Sequence, residues 1–100
     1  MILERARRKL RKNGYEPQDP VPSATTSIHG EEVWRDMSGT DGTDISFFYQ
    51  GERVDGAFRV HGKRPDMPQL DCWFSIFTRN LSEAIRISRI GTCNNVPRMV

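Results

Sequence analysis

The sequence predicts an α+β fold: a small antiparallel sheet of three to four strands, a C-terminal helix packed on it, and a basic N-terminal helix ahead of it. Three observations carry this. Apolar residues gather in two short runs, Ile45 to Tyr49 and Cys72 to Phe77, each of strand length. Turn residues separate the runs. At each end the apolar spacing changes to the period of a helix.

Along the chain, Leu3, Ala6 and Leu10 fall at i, i+3, i+7, and Gly14 can adopt the left-handed conformation that ends a helix. Residues 1–14 therefore read as a short basic helix. Its stripe is thin and its cations repel one another, so it is expected to be mobile and stable only when docked. Residues 15–30 contain Pro17, Pro20 and Pro22, then Ser23, Thr25, Thr26 and Ser27. That composition reads as a linker, which leaves residues 31–100 as a single α+β domain.

Within that domain, Glu31 to Met37 reads as a first strand, with Val33, Arg35 and Met37 on one face and Trp34 on the other. Residues 38–43 are turn chemistry. Ile45 to Tyr49 reads as a buried strand, and Gln50-Gly51-Glu52 as a tight hairpin connection. Arg53 to Val60 returns, with Val54, Phe58 and Val60 on one parity and Gly56 marking a bulge or close approach. His61 to Leu70 reads as a loop. Asp71 to Thr78 is apolar on both faces, which fits a central strand or one with an interface on one face. Asn80 to Glu83 resembles a capping box opening a helix with Leu81, Ala84, Ile85 and Ser88 as its stripe, and Gly91 as a stop. The rival reading is a strand through Ile85, Ile87 and Arg89.

Size and composition limit the function. A chain of 100 residues, 36% of them hydrophobic, supports one modest core and no deep enclosed pocket. No apolar stretch approaches a membrane span of about 20 residues. The basic start is not followed by an apolar segment, so no export signal is read, and Cys72 and Cys93 are expected as free thiols in a reducing compartment. The chain carries +2, distributed unevenly. Six basic side chains against Glu4 put +5 on the first 12 residues, so the other 88 carry −3.

Catalytic readings are weak. His29, His61, Cys72 and Cys93 are 32, 11 and 21 positions apart, without the close pairs of a zinc site. Cys72 and His61 could make a nucleophile and base, but a strand cysteine and a loop histidine are the plainer reading. Asp41, Asp44, Asp55, Asp66 and Asp71 sit in or beside turns, where Asp bonds its own backbone. There is no glycine-rich phosphate loop. The sequence reads as a binding protein with no catalytic residues, no metal and no cofactor.

Three features suit binding. Arg5, Arg7, Arg8, Lys9, Arg11 and Lys12 form a basic arm for phosphates or for an acidic protein surface. Trp73 and Phe77 can serve as interface anchors or as core. Asp66-Met67-Pro68, following Pro65, lies in a connection where an X–Pro bond could act as a slow isomeric switch or simply stiffen the loop.

In its length and in the Lys-Arg-Pro-Asp-Met-Pro run at residues 63–68, the chain resembles the small anti-RecBCD proteins of lambdoid phages. That resemblance implies a phage-encoded, non-enzymatic factor in the host bacterial cytoplasm. Such a factor binds the host RecBCD helicase–nuclease through RecC, inhibits or redirects its processing of double-stranded DNA ends, and so protects phage DNA and favours phage recombination. It also implies contact with a host peptidyl-prolyl isomerase at a proline loop, carried here onto Asp66, Met67 and Pro68, with DNA a partner only indirectly and no membrane. The residues leave open two alternatives: a small basic DNA-binding regulator, and another phage anti-defence protein such as an anti-CRISPR inhibitor.

Overall fold

Leu3, Ala6 and Leu10 recur at the spacing of one helix face, and in the computed structural model all three are buried along α1 (Leu3–Lys12). The structure describes residues 1–21, 29–37, 43–63 and 73–90. Ile2 precedes the helix in an extended conformation and offers no side-chain cap. The hairpin described below supplies the missing partner: the Leu3 amide donates to the Glu52 carbonyl at 2.7 Å, and the Val54 amide donates to the Met1 carbonyl at 2.9 Å. Gly14, with φ 86°, ends the helix and donates to the Arg11 carbonyl, as the sequence predicts. The helix is thus docked on its own chain rather than held out as a mobile arm.

Residues 15–30 read as a linker in sequence, but Tyr15–Pro17 forms strand β1. It pairs antiparallel with β2 (His29–Asp36) in the register Tyr15↔Asp36. Pro17 is tolerated because β1 is an edge strand, where a missing amide need not break a ladder. Tyr15 is buried, and its hydroxyl bonds the Ser88 hydroxyl at 2.6 Å. His29 and Gly30 extend β2 ahead of the expected start. The remainder of the expected linker, residues 22–28, lies outside the described residues.

Among the described residues the sheet has five strands, one more than the upper expectation, in the order β1-β2-β3-β4-β5, all antiparallel. β3 (Asp44–Gln50) and β4 (Arg53–Lys63) meet at a two-residue turn. There Gly51 has φ 60°, the conformation that a II′ turn reserves for glycine. Between Ser46↔Arg59 and Phe48↔Asp55 the register shifts, so that Gly56, Ala57 and Phe58 oppose Phe47 alone. Gly56 takes φ 76° within this bulge. Two extra residues preserve the period of two, so Val54, Phe58 and Val60 keep one parity; Phe58 and Val60 are buried and Val54 packs against the core. Phe58 meets Phe47 edge-on at 5.5 Å.

β4 runs on through His61, Gly62 and Lys63, which the sequence reads as loop. β5 (Trp73–Thr78) pairs with it from Phe58↔Thr78 to Lys63↔Trp73. It is an edge strand, not a central one; its apolar second face has a different cause, given in the next section. Cys72, Cys93 and Gly91 lie outside the described residues.

α2 (Leu81–Ile90) is a helix, and the rival strand reading falls. Leu81, Ala84, Ile85 and Ser88 are its buried stripe, as the spacing predicts. The Asn80 side chain accepts from the Glu83 amide at 3.1 Å, but the Glu83 carboxylate pairs with Arg86 instead of reaching back. Asn80→Ala is expected to cost about 1 kcal/mol and to lower the thermal midpoint by roughly 4–8 °C, read by circular dichroism.

Both helices cover the same sheet face. Their apolar stripes join Trp34, Ile45, Phe47, Tyr49, Phe58 and Val60 in one core. They also touch each other: Lys9 reaches the Ser82 hydroxyl, and Arg89 donates to the Asn13 carbonyl. Among the described residues, no element covers the other face of the sheet.

Candidate functional site

A two-layer fold with helices on one side has two outward surfaces, and this sequence gives them different chemistry. On the open sheet face the side chains alternate with the core residues. Ser46, Phe48 and Gln50 of β3 lie opposite to Ile45, Phe47 and Tyr49. Phe48 is 59% exposed and Phe77, on the same face of β5, is 66% exposed. Both line a shallow groove of about 380 Å³ with Glu31, Asp55, Ala57 and Arg59. An exposed apolar patch rimmed by polar side chains is the kind of surface that marks an interaction site. Such exposure also explains why Asp71 to Thr78 looks apolar on both sides.

Several polar side chains of that face are tied down. Arg35 donates to both oxygens of the Asp44 carboxylate, at 2.9 and 3.3 Å. Arg59 donates to the Ser75 hydroxyl at 3.0 Å. His61 Nε2 lies 4.0 Å from Asp44 Oδ2. Burial pushes the His61 pKa below the usual imidazole value; Asp44 works against that shift, and Arg59 and Arg35 reinforce it. The unfolded chain therefore binds the proton first as pH falls. Stability is expected to decline through the imidazole range and to level off below the folded value. Urea midpoints measured at about pH 7.5 and about pH 5.5 should differ less in His61→Gln than in the parent.

The helical layer is basic. Arg5, Arg8, Arg11 and Lys12 are exposed, and Lys9 is half-buried. Arg7 is different: it lies on the core stripe, 3% exposed. Its Nε donates to both Glu32 oxygens at 3.2 and 3.0 Å, and its Nη2 bonds Glu32 as well. Glu32 also accepts from the Trp34 indole at 3.0 Å, and the Arg7 guanidinium sits 5.9 Å from the Tyr49 ring centre. Arg7 is thus a structural cation. Arg11 stacks 5.2 Å from the Trp34 ring centre.

The sequence-selected residues fall in separate places. Phe77 is on the open face and the basic side chains are on the helical face. Trp73 pairs with Lys63 at the start of β5. Asp66, Met67 and Pro68 lie outside the described residues, between strand ends that are register partners. Sequence reasoning missed Phe48, which it placed in a buried strand. The polar parity of Ser46 and Gln50 was the available signal.

Among the described residues, no group of three His, Cys, Asp or Glu side chains could hold a metal, and no helix is long and apolar enough to cross a membrane. His29 is exposed, while Asp41, Asp66, Asp71 and Cys72 lie outside the described residues. Compared with protein-family models, curated proteins and solved structures, the chain matches none.

Proposed function

We propose that the chain is a phage-encoded, non-enzymatic factor that docks on host RecBCD through RecC, and inhibits or redirects its processing of double-stranded DNA ends. The observation that carries the docking is the sheet face that no described element covers, with Phe48 and Phe77 exposed beside one groove. Aromatic side chains that lose water on contact dominate protein interfaces, and the flanking Glu31, Asp55 and Arg59 would form the polar rim. The resemblance described above supplies the partner's identity. A host peptidyl-prolyl isomerase is the second expected partner, at Pro68. The chain departs at Lys63 and returns at Trp73, paired neighbours on the sheet, so an isomerase held there would work at one edge of the docking face.

The test uses tagged full-length protein and purified RecBCD. Retention of all three subunits after nuclease treatment, with altered degradation of linear duplex DNA, is the expected result. Unchanged degradation and no retention would overturn the reading. Capture of a CRISPR effector instead would move the protein to another class of anti-defence factor. Co-purification of a prolyl isomerase that Pro68→Ala abolishes would support the loop assignment.

A further inference from the structure

The opposite surface has the reverse chemistry, and it does not depend on the RecBCD reading. Arg5, Arg8 and Lys12 stand at i, i+3, i+7 on the outer side of α1, all exposed. Among the described residues no carboxylate is placed against any of them. The nearby acids are already engaged: Glu4 with Arg7 at 3.7 Å, Glu83 with Arg86. The row is about 10 Å long, the axial rise spanned by four successive phosphates along one DNA strand. The flanking helix adds Arg86 and Arg89, both exposed.

We infer that this outer helical face is a sequence-independent contact for the phosphodiester backbone of duplex DNA. An acidic protein is the weaker fit. Protein interfaces deplete charge at their centre and enrich aromatics, yet the outer rows here expose Arg5, Arg8, Lys12, Ser82, Arg86 and Arg89 and no apolar side chain. Interfaces with DNA are polar and strongly positive. No Asn or Gln stands in the outer rows to read adenine; arginine can meet phosphates or guanine edges, and competition by an unrelated duplex separates the two. The molecule then offers an aromatic face to protein and a cationic face to nucleic acid.

Fluorescence anisotropy of a labelled duplex of about 20 base pairs tests this with the full chain. With three phosphate contacts, affinity is expected to fall roughly 40-fold between about 50 and about 200 mM salt. A duplex of unrelated sequence should compete equally. The triple variant Arg5→Gln, Arg8→Gln, Lys12→Gln should lose binding at the lower salt, while Phe48→Ser with Phe77→Ser retains it. Should the triple variant unfold, Arg8→Gln alone lowers the salt slope by about one. Absence of binding by the parent at low salt, unchanged affinity in the basic-row variants, or binding of poly-glutamate but not duplex would each overturn the inference.

Discussion

Arg7→Met is expected to be the most damaging substitution in the basic helix, although the sequence places Arg7 among surface cations. The change leaves the Glu32 carboxylate 5% exposed, with the Trp34 indole as its remaining donor among the described residues. Removing one partner of a buried pair costs about 3–5 kcal/mol, because the remaining charge is stranded away from water. For a domain of this size, that lowers the thermal midpoint by on the order of 20 °C. The double variant Arg7→Met, Glu32→Gln removes both charges and keeps an acceptor for the indole N–H. It is expected to recover most of the loss. Chemical denaturation followed by tryptophan fluorescence measures both, and Arg7→Met unfolding within about 1 kcal/mol of the parent would mean the pair is not shielded from water.

The second large effect concerns binding, not stability. Phe48→Ser combined with Phe77→Ser is expected to weaken capture of RecBCD by about 100-fold, since central interface aromatics each contribute roughly 1–2 kcal/mol or more. The thermal midpoint should hardly move, because both rings already stand in solvent. The triple substitution of the basic row should leave capture intact. Full capture by the serine pair would remove the open face as the docking surface. Loss of capture by the basic variant instead would transfer docking to the helices.

Where neighbouring residues decide the outcome, the sequence was legible. The Gly51 turn, the bulge at Gly56, the Asn80 cap and the stripes of both helices follow from local spacing and glycine chemistry. What escaped depends on long-range pairing. Tyr15–Pro17 resembles a linker until β2 lies beside it. Arg7 resembles its cationic neighbours until Glu32, 25 positions away, comes to meet it. Phe48 lies between Phe47 and Tyr49 with only Ser46 and Gln50 to mark its parity, and no described element covers its face. Trp73 and the Asp66–Pro68 stretch gained nothing from the structure beyond the register of the strands around them.

The contact of the two helices bears on the order in which the chain assembles. Tyr15 and Ser88, joined by their hydroxyls, are 73 positions apart. α1 leaves the ribosome before the sheet, yet at ten residues it is too short to persist alone, and its three apolar side chains wait for the strands. The β2–β3–β4 meander has local connections and can form early. The side of the core between the helices closes only after Ser88 has emerged. α1 is therefore locked only once α2 has formed, which makes closure a late, cooperative step that couples the two ends of the described residues.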